Sequence, residues 1–582
     1  MTNVVLVVID ALRADRLGAY AGRDTGTPNL DALAGRGVVF ENAISQASWT
    51  RPSVGSIMTG LYPSQHGLAD RWRTVDGRLT VAALDTSIPT LAERLPDRPT
   101  VAFVGCNANL KPMFGMTRGF DLFRWHPDND GTVLVEDLEA WLREEPPDGA
   151  FCYMHFMDVH NPLPAEILPS RLAGGTDLDA GRRSIEELAE HYDAAVRRAD
   201  AHVGRVISAL EEATAMEDAW VIVTADHGEE LMDHGKMLSH GRTLYRELVR
   251  VPLIVKPPEG TFEPGARVAG PVELIDLAPT VLDHFAVPAP ELPGRDLLPR
   301  IRGEEPGETP AGFSELLRRD RYGQSITTKG YRFVQTYLFE EAAEVSPADL
   351  REGDDVVIKG QAVGDGTLLA TRVALRPGVT PKVRGNIERS EDGELWVMGI
   401  SFRFGGETGV IDQHREPVEA GDLAVGEKVA VSFVERDGER VATSVQRRNL
   451  GGKNKIWGPI ERVREMEPGL ISLTVLGVEI TVDVSMAVSP PREKKGREQR
   501  PDALARVLTG EFVDSRRELY DTAADPTETT NVVDERPDIA AGLEERLMLW
   551  TDWLASGGDP ASGSVDVDPE TMEQLRRMGY VE

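Results

Sequence analysis

Asp10, Asp226 and His227 offer carboxylate and imidazole ligands, Thr50 offers a hydroxyl, and His160 and His240 offer imidazoles able to pass a proton. Their spacing ties most of them to the ends of apolar runs. Val4 to Ile9 stops at Asp10, Thr100 to Val104 leads to Asn107 and Asn109, Ala150 to Met154 leads to Asp158 and His160, and Trp220 to Thr224 leads to Asp226-His227-Gly228. Carboxylate oxygens hold a hard cation, imidazole adds a borderline ligand or a proton donor, and a hydroxyl attacks. Thr50 has Pro52 two positions later, just inside an expected helix start, so its hydroxyl meets the positive end of a helix, where an anion is favoured. A divalent ion on that oxygen would ease loss of its proton near neutral pH. Taken singly, Thr50 also reads as a helix N-cap, and Asp226-His227-Gly228-Glu229-Glu230 as an acidic helix start.

The elements that must position these residues are legible as well. Short β-branched runs bounded by Gly, Pro and Asp, with helix-period stretches between them, predict buried strands of a largely parallel sheet. Ligands of such sheets bind beyond the carboxyl ends of the strands. Asp193 to Leu210 places Val196, Ala199, Val203, Val206, Ile207 and Leu210 on one helical face. From about residue 340 to 510 the texture changes to short alternating runs that repeat: Leu350, Gly353 and Val356 recur as Leu423, Gly426 and Val429, and Gly385 to Glu388 as Gly458 to Glu461, an offset of 73 residues. Two tandem copies of one small all-β unit are expected. The α/β texture resumes at Glu518 to Asp521, followed by a helix from Pro537 to Ala555. The organisation expected is therefore an α/β domain over 1–338, an all-β insertion over 339–512, and the return of the first domain as a smaller C-terminal part over 513–582. The basic loop from Pro490 to Arg497 reads as a solvated hairpin loop.

Composition narrows the function classes. Acidic side chains number 96 against 64 basic ones, for a net charge of −32, which repels nucleic acid and anionic lipid. A cation in a pocket still admits an anionic substrate. No apolar stretch approaches the ~20 residues needed to span a bilayer, and the first strand follows Met1-Thr2-Asn3 at once, so a cytoplasmic protein is expected. Cys106 and Cys152 read as small buried hydrophobes, not as a disulfide. Association of identical chains is left open.

The strings VVLVVIDALRADRLGAYA, NLDALAGRGVVFENAISQASWTRPSVGSIMTGLYPSQHG, VIVTADHGEELMDHG, RVPLIV, PVELIDLAPTVLD, ELYDTAADPTETTNV and LRRMGYVE together resemble the sulfatase family of the alkaline phosphatase superfamily. The resemblance implies an alkaline phosphatase-like α/β fold, a mostly parallel sheet flanked by helices. It implies Asp10, Asp226 and His227 as metal ligands, with Thr50 at the nucleophile position and beside the metal. His160 and His240 then fall near the ester and its leaving group, and Asn107 and Asn109 where relatives contact the anion through Lys and His. Departures are equally informative. Thr50 stands where sulfatases carry the Cys or Ser that becomes formylglycine, Val54 stands in place of the motif's Arg, and Ala11 in place of a second Asp. Thr at that position is similar to the phosphodiesterases, phosphoglycerol transferases and phosphomutases of the superfamily. What the resemblance implies is a metal-dependent hydrolase or transferase of phosphoric or sulfuric esters, using Ca, Mn, Mg or Zn, on a small-molecule or glycan ester. The competing expectation is a sulfatase-like scaffold without turnover whose β insertion binds a partner or glycan. His66 is expected to be structural and His234 a local helix cap.

Overall fold

The computed structural model describes residues 3–338, 355–489 and 514–566, apart from short stretches within them, the longest being 161–177 and 412–422. The basic loop from Pro490 to Arg497 and the closing LRRMGYVE lie outside the described residues, as does most of the loop from Pro162 to Arg183. The chain divides into two compact units, one built from 1–162, 187–340 and 500–582, the other from 163–186 and 341–499.

In the first unit the apolar runs become β1 (Val4–Ile9), β2 (Val38–Ile44), β3 (Thr100–Val104), β4 (Leu122–Trp125), β5 (Phe151–Phe156), β6 (Trp220–Thr224), β7 (Arg250–Val251), β8 (Leu253–Lys256) and β9 (Ala266–Glu273). They form one sheet in the order β9-β2-β8-β6-β1-β5-β3-β4, with β7 against β2. Every residue of β1, β3, β5 and β6 is buried. That is why these strands read as continuous apolar runs without alternation. The sheet is mixed but largely parallel, as expected, with β7 and β8 the antiparallel strands. β6, β1, β5, β3 and β4 are parallel neighbours, as are β9 and β2, whereas β8 runs against both β6 and β2. Among the described residues between β6 and β8 no long crossover helix occurs, in keeping with an antiparallel return of the chain. Helices α1 (Pro28–Arg36), α2 (Thr50–Thr59), α3 (Gly131–Glu144), α4 (Leu178–Glu212) and α5 (Leu277–His284) accompany the sheet. All ten residues of α2 are buried, an arrangement suited to holding a reactive group in place. Cys106 and Cys152 are free thiols, Cys152 buried and Cys106 partly so.

A second, antiparallel sheet begins with β10 (Gly312–Leu317), β11 (Arg321–Thr327) and β12 (Tyr331–Leu338). Beyond it, the other unit holds β13 (Asp355–Val363), β14 (Thr367–Leu375), β15 (Lys382–Glu391), β16 (Glu394–Val397), β17 (Ile400–Ile411), β18 (Lys428–Arg436), β19 (Glu439–Arg448), β20 (Asn454–Glu465), β21 (Leu470–Val475) and β22 (Val478–Asp483). β15-β16-β17-β19-β18 closes back on β15, with β17 and β19 parallel. β20-β21-β22-β14-β13 closes back on β20 in the same pattern, with β22 and β14 parallel. Each is a five-stranded barrel with the strand order of the OB type. The pairing adds what the repeat alone does not show. The repeat copies are β13 to β17 and β18 to β22, yet each barrel takes two strands from one copy and three from the other. A periodic sequence fixes the period but not the point at which a closed unit begins.

The chain returns to the first unit as β23 (Asp514–Asp521), which pairs with β12 along its whole length, Leu338 lying opposite Asp514. Helix α6 (Pro537–Ser556) lays Leu543, Leu547, Trp550 and Leu554 on Tyr322, Ile326, Phe333 and Leu519 of this sheet. Burying such side chains stabilises by about 1.5–3 kcal/mol each.

Candidate active site

The carboxyl ends of β1, β3, β5 and β6 and the first residue of α2 bring the expected residues together. Thr50 Oγ1 donates to Asp10 Oδ2 at 3.2 Å and lies 3.3 Å from His227 Nε2. The helix N-cap position falls on Trp49, with Thr50 the first helical residue, so the simple N-cap reading of Thr50 is set aside. Asn107 Nδ2 donates to Asp10 Oδ2 at 2.6 Å and reaches Thr50 Oγ1 at 3.4 Å, while its Oδ1 accepts from Asn109 N at 2.9 Å. Ala11, immediately after Asp10, has φ of 61°, a backbone region strained for a residue with a Cβ. That turn aims its N–H at Asp226 Oδ1, 3.2 Å away.

Asp10, Asp226 and His227 are fully buried, and the polar atoms left over point to a cation. Asp10 Oδ1 and Asp226 Oδ2 have no hydrogen-bond partner, and each lies 3.6 Å from His227 Nε2. His227 Nδ1 donates to Gly228 O at 2.7 Å, which leaves Nε2 as the atom with a lone pair to offer. Two buried carboxylate oxygens without partners are costly unless a positive charge completes them. Burial pushes the Asp226 carboxyl up, aided by Asp10. Burial also acts on Asp10, but His160, His155 and His227 outweigh it and hold that carboxyl far below the usual range. The residues present therefore fit a divalent ion. Among the described residues the one cluster of three potential ligands within 4.8 Å is Asp10, His155 and Asp226. His155 was not anticipated. Its Nε2 lies 3.2 Å from Asp10 Oδ2 and its Nδ1 2.8 Å from the Tyr153 hydroxyl, contacts that suit orienting Asp10 better than direct ligation.

Three imidazoles line the other side. The His240 ring centre is 4.6 Å from that of His227 and 5.1 Å from that of His160. Burial pushes His160 down to about 4, so it is neutral at neutral pH. His240 Nδ1 lies 3.1 Å from Glu229 Oε2, a carboxyl that burial pushes up to about 7. Glu229 was seen in sequence only as one of two acids after His227, because nothing local reveals a partner eleven residues on. His66 is structural as expected, buried between Ser56 and Pro52 O. His234 is not a helix cap: its ring stacks on Tyr245 at 3.8 Å and its Nε2 lies 3.2 Å from Glu247.

Residues 2–287 match the sulfatase family. The chain carries a sulfatase family domain of the alkaline phosphatase superfamily. Human N-sulphoglucosamine sulphohydrolase is 29% identical over 345 residues, which cover 49% of this chain and 63% of that one. A multifunctional alkaline phosphatase superfamily protein of Trinickia caryophylli is 25% identical over 406 residues, covering 53% and 78%. The crystal structure of the phosphonate monoester hydrolase of Agrobacterium radiobacter aligns over 98% of this chain and 100% of that one at 16% identity, with a TM-score of 0.52, a likeness of fold. The domain is that of a sulfatase-type ester hydrolase. Residues 384–446, within the contiguous barrel β15 to β19, match a domain of unknown function, DUF5666. Among the described residues no helix is long and apolar enough to cross a membrane.

Proposed function

We propose that the protein hydrolyses or transfers the phosphoryl group of phosphoric esters, or less readily the sulfuryl group of sulfuric esters, through Thr50 as nucleophile. The observation that carries this reading is the convergence of Thr50 Oγ1, Asp10, Asp226 and His227 around two buried carboxylate oxygens without partners. A divalent cation held by Asp10, Asp226 and His227, with Thr50 beside it, would neutralise charge on the transferred group and ease ionisation of the hydroxyl.

The chain's own residues account for the rest. Thr50 Oγ1, its proton drawn toward Asp10 Oδ2, forms the new bond to phosphorus as the bond to the leaving alcohol oxygen breaks. His240, paired with Glu229, gives that oxygen its proton, and later takes one from the water that cleaves the Thr50 ester and restores the hydroxyl. Neutral His160 and the amide of Asn109 donate hydrogen bonds to the anion, while Asn107 Nδ2, already given to Asp10 and Thr50, steadies the nucleophile. With Val54, Asn107 and Asn109 where relatives place Arg, Lys and His, the chain supplies few positive charges. That favours esters carrying one negative charge, such as phosphodiesters and phosphonate monoesters, over dianionic phosphate monoesters.

We further propose three segments: a catalytic domain over 1–338, an insertion over 339–512, and the C-terminal part of the catalytic domain over 513–582. The pairing of Leu338 with Asp514 supports this division. A panel of nitrophenyl phosphate, phosphodiester, phosphonate and sulfate esters, each with Ca, Mg, Mn and Zn, tests the activity against Thr50→Ala. Phosphodiester or phosphonate turnover abolished by the substitution is expected; sulfate turnover equal to or above it would overturn the preference for phosphorus.

A further inference from the structure

Arg51 follows the nucleophile directly and is 1% exposed. Its guanidinium carbon lies 4.6 Å from the ring centre of Phe114 and 5.5 Å from that of Trp49, two aromatic contacts that restrain the planar group. Nη2 donates to Asn109 Oδ1 at 2.8 Å. A guanidinium has donors only, so the Asn109 amide has one orientation, Oδ1 toward the arginine and Nδ2 away from it. Asn107 is fixed by the same logic, because its Oδ1 accepts from Asn109 N and its Nδ2 is thereby turned toward Asp10 and Thr50. The chain Arg51-Asn109-Asn107-Thr50 thus links a buried cation to the nucleophile through two oriented amides. Beside the nucleophile, Asn109 Nδ2 is buried and has no hydrogen-bond partner, and Asn109 itself is 0% exposed. Native interiors leave few such donors, and a ligand is one way to complete them.

Resting on the reading of the site as an ester-cleaving centre, we propose that Asn109 Nδ2 donates to a non-bridging oxygen of the bound ester and that Arg51 is the positioning residue holding it there. The cation acts through the amide and not by direct contact, which offers the anion a neutral donor where relatives offer a charge.

The discriminating variant is Asn109→Asp, which keeps an acceptor for Arg51 but removes the donor. Its Tm should stay at or above that of the native protein while kcat falls by about 10²-fold, the usual loss of one oxyanion donor. Arg51→Met should lower kcat by a similar factor, about 10²-fold for a misplaced group. The Arg51→Met/Asn109→Ala pair should be no slower than Asn109→Ala alone, since both remove one function. Binding of inorganic phosphate and of sulfate to the metal-loaded protein is measured in parallel. Anion binding by the native protein that is lost in Asn109→Asp supports the inference even if no ester is turned over, which separates its fate from that of the proposed reaction. Native kcat and anion affinity in Asn109→Asp, or losses that multiply in the double variant, would overturn it.

Discussion

Gly228 lies between His227 and Glu229, and its backbone serves both sides of the site: its O accepts from His227 Nδ1 and its N donates to Leu248 O at 2.8 Å. A Cβ built there would sit 1.9 Å from Glu247 O, a backbone atom that cannot yield without moving the turn. Gly228→Ala should therefore cost about 1–3 kcal/mol of stability, as overpacking does, and lower turnover by displacing His227. Thermal unfolding and kinetics on the same preparation check this; native Tm and native turnover would refute it. At this scale the sequence reveals Asp10, Thr50, Asn107, Asp226 and His227, because each ends an apolar run or opens a helix. It does not reveal His155. That residue lies inside the buried run Phe151–Phe156, and its approach to Asp10 depends on the register that sets Val8 beside it. Arg51 is likewise silent, since its task is defined by Phe114 and Asn109 from a distant loop.

Where β9 gives way to α5, half-buried Glu273 lies beside buried Asp276. Glu273 accepts from the Tyr62 hydroxyl at 2.9 Å and from Phe313 N at 2.9 Å, and its own N donates to Asp276 Oδ2 at 2.8 Å. Burial, with Asp276 adding to it, pushes the Glu273 carboxyl above its ordinary value of 4.5. A group whose pKa is raised by folding contributes stability that is fully present below its unfolded value and lost as pH rises through its folded one. The first unit should consequently lose a few degrees of Tm as pH rises from about 4.5 through neutrality. Glu273→Gln keeps an acceptor for Tyr62 and Phe313 and should flatten that dependence. Calorimetry across the range decides, and an unchanged slope in the variant would assign the dependence elsewhere. The strands and α6 were legible from periodicity, but the antiparallel β8 was not, because direction depends on which edge the chain re-enters and not on the apolar pattern.

Taken whole, the molecule joins a sulfatase family domain to a pair of barrels through neighbouring strands. Leu338 and Asp514 face each other across β12 and β23, at the separation a short turn can bridge. Replacing residues 339–512 by a short Gly-containing turn should leave a folded protein that still turns over a small nitrophenyl ester. Loss of turnover with native Tm would instead make the insertion part of the catalytic apparatus. The 73-residue period of this insertion was plain in the sequence, while the sharing of strands between copies was not, since closure is set by pairing across the repeat. On the proposed reading, Thr50 takes the transferred group onto its own oxygen. Acid quench during turnover of a phosphodiester, followed by peptide mass spectrometry, tests it most directly. One phosphoryl group on Thr50 of the native, metal-loaded enzyme is expected; steady turnover with that group on no residue, or on a different one, would contradict the assignment.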